Sequence, residues 1–99
     1  MIRLELAPEV FEDFDRILNH LLSLQADDPA GRIAGVIDAL QLLTHSPLIG
    51  RQLRGGKREL VIGQGVRGYV ALYRYLPQLE VIYVLAVRSQ RELGYKHDF

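Results

Sequence analysis

Hydrophobic and polar side chains alternate with two different periods along this chain, and the change of period divides it into elements. Near the N-terminus, Ile2, Leu4 and Leu6 alternate with charged residues, which predicts a short half-buried strand. Apolar residues then recur every three or four positions over residues 8–24, a spacing typical of a helix with one apolar face. The residues on that face are Val10, Phe11, Phe14, Ile17, Leu18, Leu21 and Leu22.

A second helix is predicted after a short polar connection. Asp28 followed by Pro29 is a typical helix start, because aspartate caps the first amides and proline fits the first turn. The helical spacing of apolar residues continues to about residue 44, and Pro47 then ends the helix. A connection of only a few residues favours an antiparallel helical hairpin.

The last third of the chain returns to strand-like patterns. Residues 59–62, 69–76 and 80–88 predict three strands, with turn signals at Gly63-Gln64-Gly65 and at Pro77-Gln78. The element order β-α-α-β-β-β predicts an α+β fold. In this fold the helical hairpin packs on one face of a small, mostly antiparallel, twisted sheet.

The last predicted hairpin indicates which side chains share a sheet face. The simplest antiparallel register places Val70, Leu72 and Arg74 on one face with Val81, Tyr83 and Leu85. It places Tyr69, Tyr73 and Tyr75 on the other face with Ile82 and Val84. A slip of one residue would exchange the two sets. We interpret the tyrosines of these strands mainly as packing residues.

Composition indicates a single packed domain over residues 1–99, since 48% of the residues are hydrophobic. Cys is absent, which excludes disulfide and thiolate chemistry. No apolar run approaches the ~20 residues that span a bilayer. The N-terminus also lacks the apolar core of a signal peptide, so we expect a cytoplasmic protein without membrane contact. His20, His45 and His97 lack ligand spacing, and neither a metal nor a cofactor is expected.

The charges are divided unequally between the two halves of the chain, although the formal net charge is zero. Residues 1–50 carry three basic and eight acidic side chains, whereas residues 51–99 carry nine basic and four acidic ones. The basic half includes Arg54, Arg58, Arg67, Arg74, Arg88 and Arg91. Such asymmetry favours an anionic partner for the second half.

The acidic residues near the start of the first helix have a simpler interpretation. Glu9, Glu12 and Asp13 lie close to the positive end of the helix dipole, which stabilises negative charge, and Asp15 follows them. We expect these carboxylates to be solvated rather than to form an acid–base pair.

Several short motifs follow one another in the second half. They are Leu53-Arg54-Gly55, Arg58-Glu59-Leu60, residues 68–74 (GYVALYR), and residues 84–92 (VLAVRSQRE) followed by Tyr95. With the preceding strand and two helices, this pattern resembles the RelE/ParE superfamily over nearly the whole chain. Its members are the toxin halves of type II toxin–antitoxin systems, with roles in plasmid stabilisation and stress response. The resemblance implies a growth-arresting toxin without a cofactor, held inactive by a cognate antitoxin protein.

The RelE-like members of the superfamily resemble ribosome-dependent mRNA endoribonucleases, and this resemblance implies metal-independent mRNA cleavage. Arg91 and Tyr95 match the C-terminal arginine and tyrosine of that pattern and are the expected catalytic residues. The residues expected to bind the nucleic acid or another target are Arg54, Arg58, Arg74 and Arg88.

Cleavage of RNA without a metal requires activation of the 2′-OH, positive charge on the phosphate, and a proton for the leaving oxygen. Arginine supplies the positive charge, because its guanidinium binds phosphate through two parallel N–H bonds. The phenol of Tyr95, with an ordinary pKa of about 10, acts as a base at neutral pH only if neighbouring cations lower its pKa.

Two alternatives remain open at this point. ParE-like members of the superfamily inhibit DNA gyrase, and Val70, Glu59 and Val61 stand where the nuclease pattern has basic residues. A basic RNA-binding module outside the toxin class is the third interpretation. In either toxin class, an exposed sheet edge and a basic face would suit an acidic antitoxin segment that folds on binding.

Overall fold

The structure is a computed structural model that describes residues 1–63 and 68–97. Its helices are α1 (Pro8–Ser23) and α2 (Pro29–Gln41), and a short 3-10 turn, Leu42–Thr44, follows α2. Its strands are β1 (Arg3–Leu6), β2 (Arg51–Gln52), β3 (Lys57–Ile62), β4 (Tyr69–Leu76) and β5 (Val81–Ser89). The predicted order of strand, two helices and three strands is confirmed, and β2 is an additional element.

The five strands form one mixed sheet in the order β1-β5-β4-β3-β2. β1 runs parallel to β5, and the other neighbouring pairs are antiparallel. The predicted turn at Pro77 is a 3-10 turn, Pro77–Leu79, whereas Gln64 and Gly65 of the other predicted turn lie outside the described residues.

The start of α2 follows the predicted cap closely. A carboxylate oxygen of Asp28 accepts the backbone N–H of Gly31 at 3.1 Å. A Cβ on residue 31 would lie 1.9 Å from the other carboxylate oxygen. Glycine at this position therefore lets the capping side chain approach the helix, and any larger residue would displace the cap.

The hydrophobic core lies between the two helices and one face of the sheet. Its buried members are Ala7, Val10, Phe14, Ile17, Leu21, Val36, Leu40, Leu43, Tyr69, Ala71, Tyr73, Ile82, Val84 and Val87. Tyr73 is fully buried, and its hydroxyl donates to the carbonyl of Pro47 at 2.8 Å and accepts the N–H of Gly50 at 2.9 Å. This tyrosine packs as predicted, and its hydroxyl also fixes the loop that leads into β2.

A β-bulge in the last hairpin determines which face carries Arg88. Tyr73 pairs with Val84 but Leu72 pairs with Ala86, so Leu85 is the extra residue of β5. Before the bulge the predicted faces are correct, because Arg74 lies opposite Tyr83. After the bulge the alternation of β5 is inverted. Arg88 therefore lies opposite Val70, on the sheet face directed away from the helices.

We call this second surface the open face. It is formed by Lys57, Glu59 and Val61 of β3, Val70, Leu72 and Arg74 of β4, and Tyr83, Ala86 and Arg88 of β5. Two of these strands thus bring Arg74 and Arg88, two of the four predicted target-binding arginines, to one side of the molecule. In the described part of the chain, no helix is both long and apolar enough to cross a membrane.

Candidate functional site

The chain after β5 turns back across the open face, and we call residues 90–97 the C-terminal segment. The hydroxyl of Tyr95 donates to Oε2 of Glu59 on β3 at 2.7 Å. The guanidinium carbon of Arg88 lies 5.2 Å from the centre of the Tyr95 ring, which is a cation–π contact. Leu72 and Ala86 on this face are only 3% and 0% exposed, although neither belongs to the helix-side core. The segment therefore covers the middle of the open face.

Glu59 is the acidic residue at the centre of this surface. Its side chain is 11% exposed, and its Oε1 accepts a 2.7 Å ion-pair hydrogen bond from Nη2 of Arg51. Burial opposes ionisation, but the hydrogen bonds from Tyr95 and Arg51 and the charges of Arg51 and Arg88 outweigh it, so the pKa of Glu59 is lowered. Glu59 is therefore a carboxylate at neutral pH.

The Tyr95 hydroxyl is correspondingly held in its neutral form. Burial raises the pKa of Tyr95, and the hydrogen bond to Glu59 and its negative charge raise it further, while Arg88 acts in the opposite direction. Tyr95 could act as a base only if neighbouring cations lowered this pKa. The adjacent carboxylate reverses that effect, because an ionised phenol would face the charge of Glu59.

A cleft of about 300 Å³ opens beside Glu59, and we call it the Glu59 cleft. It is lined by Arg51, Glu59, Val61, Val70, Arg88 and Gln90. Nη1 of Arg88 donates to the carbonyls of Ser89 and Glu92, at 3.2 Å and 3.1 Å. Its Nε is buried and has no hydrogen-bond partner among the described residues. This cleft combines two arginines with a carboxylate that one of them already binds.

A second cleft, of about 350 Å³, lies towards the β2–β3 turn, and we call it the Arg54 cleft. It is lined by Leu53, Arg54, Lys57, Leu72, Tyr95 and His97. Gly55 and Gly56 in the turn have φ angles of +74° and +75°, in the left-handed region that favours glycine. A Cβ on Gly56 would lie 3.2 Å from Nη1 of Arg74, so the guanidinium packs against this turn. Among the ion pairs of residues 1–63 and 68–97, none includes Arg54 or Arg74.

A buried polar cluster anchors the C-terminal segment to α1. Asp13 is fully buried, and its carboxylate accepts hydrogen bonds from Arg16 and from the N–H of Val87, the latter at 2.9 Å. Nε2 of His97 lies 3.0 Å from the same carboxylate. Arg16 also donates to both carboxylate oxygens of Glu92, at 3.2 Å and 3.1 Å.

The expectation that Asp13 is solvated is therefore wrong. The sequence contains a signal for it, since Asp13 and Arg16 are three residues apart and neighbouring on a helix. Burial opposes ionisation of Glu92, but hydrogen bonds from Arg16 and from the backbone of Ser89 dominate, and its pKa is lowered.

The predicted site residues are only partly brought together. Arg54, Arg74 and Arg88 lie at the open face, and Tyr95 packs on Arg88. Arg58 lies on the opposite sheet face, where its Nη1 donates to the carbonyls of Leu48 and Gly50.

Arg91 is exposed in the turn after β5, where its N–H donates to Oγ of Ser89 at 3.3 Å. The hydrogen bond and the cation–π contact that the structure shows for Tyr95 are with Glu59 and Arg88. Within residues 1–63 and 68–97, no three His, Asp or Glu side chains are grouped so that they could hold a metal ion.

Comparison with solved structures gives the class of fold to which this arrangement belongs. A chain of the chromosomal ParDE toxin–antitoxin system from P. aeruginosa superposes with a TM-score of 0.75 at 18% identity, covering 90% of this chain and 96% of that one. A chain of the intact E. coli RelBE toxin–antitoxin complex superposes with a TM-score of 0.61 at 15% identity, covering 93% of this chain and 100% of that one. At these identities the similarity shows a shared RelE/ParE-like fold.

The family follows from the sequence model that the chain matches. The model describes the ParE toxin of the type II toxin–antitoxin system parDE, and it matches residues 4–94. The chain belongs to this ParE toxin family. A search among curated proteins returns no match.

Proposed function

We propose that this toxin arrests growth by binding DNA gyrase, as ParE-like toxins do, and that it does not cleave mRNA. The Glu59–Tyr95 hydrogen bond is the observation that carries the proposal. It puts a carboxylate at the centre of the basic face and keeps the phenol of Tyr95, the expected catalytic tyrosine, protonated. The match to the ParE family over residues 4–94 supports the same target class.

The chemistry of RNA cleavage explains why this pair argues against a nuclease. A base must take the proton of the 2′-OH, and a phenol whose pKa is raised is the wrong group for that step. Positive charge must also meet the phosphate beside that base, and next to Tyr95 the carboxylate of Glu59 offsets the charges of Arg51 and Arg88. Inhibition of gyrase by binding requires neither a general base nor a free phosphate-binding site.

The proposal includes a cognate antitoxin as the partner that keeps the chain inactive. Both solved structures described above come from toxin–antitoxin systems, which supports such a partner here. Coexpression with the neighbouring reading frame should yield a stable complex, and expression of this chain alone should arrest growth. Recovery of the single chain in soluble form from a normally growing host would contradict this part of the proposal.

The target is tested by measuring RNA integrity and plasmid topology in the same culture after induction. We expect plasmids to lose negative supercoiling while transcripts stay intact, and purified protein to inhibit gyrase in a supercoiling assay. The opposite pattern, with cleaved transcripts and unchanged plasmid topology, would establish the mRNA-cleavage alternative instead.

Tyr95→Phe provides a sharper version of the same test. The variant keeps the ring on Arg88 but removes the phenol oxygen that the RelE-like pattern would use for proton transfer. Growth arrest should persist in this variant if the toxin acts by binding, and it should be lost if Tyr95 takes part in RNA cleavage. Coexpression with the antitoxin is the control that the variant is folded, since the wild type and Tyr95→Phe should both form the complex.

A further inference from the structure

We propose that Glu59 closes the Glu59 cleft to phosphate groups, because its carboxylate occupies the position between Arg51 and Arg88 that an external anion would take. This inference rests on the proposed function and names the residue that sets its specificity. The cleft is then an anion-binding site that is occupied by the protein's own carboxylate, that of Glu59.

The geometry satisfies both oxygens of the internal carboxylate. Oε1 accepts from Nη2 of Arg51 at 2.7 Å, and Oε2 accepts from the Tyr95 hydroxyl at 2.7 Å. The Tyr95 ring then lies on the guanidinium of Arg88. A phosphate that approached these arginines would have to displace Glu59 or face its charge at short range.

The charge of Glu59 repels a nearby anion strongly because its side chain is largely buried. With 11% of its side chain exposed, Glu59 is poorly screened by solvent and by salt. Val61 and Val70 form the apolar walls of the cleft. Repulsion of a phosphodiester is therefore stronger here than it would be beside a surface carboxylate.

The cations of the cleft retain the capacity to bind an anion once this charge is removed. Arg51 would lose its acceptor, and Nε of Arg88 already has no hydrogen-bond partner among the described residues. Arginine binds phosphate through paired N–H donors, so two such groups beside one cleft suit a single phosphodiester. Glutamine at position 59 preserves the shape of the side chain and removes only the charge.

The test compares Glu59→Gln with Glu5→Gln, which changes the net charge by the same amount. Glu5 pairs with Arg3 on the exposed strand β1 and is therefore a matched control. Affinity for a single-stranded RNA oligonucleotide is measured by fluorescence anisotropy at several salt concentrations. We expect Glu59→Gln to bind about tenfold more tightly than Glu5→Gln, with a steeper salt dependence.

A spectroscopic readout separates this role from a merely structural one. In Glu59→Gln the phenol of Tyr95 should ionise at a lower pH than in the wild type, because the neighbouring negative charge is gone. Subtracting the titration of the same variant with Tyr95→Phe isolates this phenol. Adding Arg88→Ala to Glu59→Gln should abolish the gain in RNA affinity.

Equal RNA affinities of Glu59→Gln and Glu5→Gln would overturn the proposal, and so would an unchanged Tyr95 titration. If Glu59→Gln does not fold, Glu59→Leu removes the charge while packing on the apolar walls, and the same comparison applies. The proposed function can fail separately. Failure of the wild-type protein to inhibit gyrase would contradict the proposed function, but the RNA affinities of the variants would still test the role of Glu59.

Discussion

The two clefts of the open face use the same kind of residue under opposite electrostatic conditions. In the Glu59 cleft, Arg51 is bound to an internal carboxylate, and Arg88 lies under the ring of Tyr95. At the Arg54 cleft, Arg54 in its lining and Arg74 beside the neighbouring glycine turn take part in no ion pair within the described residues. A count of arginines in the sequence would treat these positions alike. One buried carboxylate distinguishes them, because it neutralises an arginine of the first cleft and no such ion pair in the part of the chain that the structure describes involves Arg54 or Arg74.

The C-terminal segment separates the two clefts, and the largest expected effect comes from releasing it. Asp13→Asn should lower the free energy of unfolding by about 3 kcal/mol, because it leaves buried donors of Arg16 and Val87 without their carboxylate. Denaturant unfolding measures the change. Asp15→Asn, an exposed position on the same helix, is the control and should have little effect. Similar losses of stability in both variants would show that Asp13 does not anchor the C-terminal segment.

The loop that leads to Arg51 and Arg54 gives the next largest effect. Tyr73→Phe removes the hydroxyl that joins Pro47 and Gly50, and it should cost about 1–2 kcal/mol of stability. Tyr75→Phe is the matched control, since the Tyr75 hydroxyl makes no hydrogen bond among the described residues. Thermal unfolding of the two variants provides the comparison, and equal melting temperatures would show that the hydroxyl is not needed.

The fold was largely predictable because its elements are long and strongly periodic. Both helices and the last two strands carry enough apolar residues to define their faces. β2 was missed because two residues paired to Arg58 and Glu59 have no periodicity of their own. The face of Arg88 could not be predicted either, since one inserted residue in β5 inverts the alternation after it.

The site was predictable in its residue types but not in its pairings. The sequence indicates a basic second half, yet Arg58 supports a loop on the helix side and Glu59 neutralises part of the open face. These outcomes depend on contacts between residues far apart in the chain, such as Tyr95 with Glu59. Periodicity predicts which side of a helix or strand a residue faces, but it does not predict contacts between residues that are far apart in the sequence.

Replacing arginines at one cleft and then at the other tests directly how the two clefts differ in anion binding. Arg54→Ala combined with Arg74→Ala should lower the salt concentration that elutes the protein from heparin, with the salt slope reduced by about 1–2. Arg51→Ala should change elution much less, because Arg51 is already neutralised by Glu59. A larger effect of Arg51→Ala than of the double variant would mean that the Glu59 cleft is the more available anion site.

The smallest expected effect is a change in the acid limb of the stability curve. The folded-state pKa of Glu59 is lowered, so its contribution to stability is present above the ordinary pKa of a glutamate and is lost as pH falls through the folded value. Tyr95→Phe removes one of the hydrogen bonds that lower this pKa. The decrease in the free energy of unfolding between pH 7 and acidic pH should therefore be smaller in this variant, by less than about 1 kcal/mol. Glu59→Gln should remove this contribution altogether. Urea unfolding at several pH values measures the slopes, and three identical slopes would show that the internal carboxylate of the Glu59 cleft is not held by its partners.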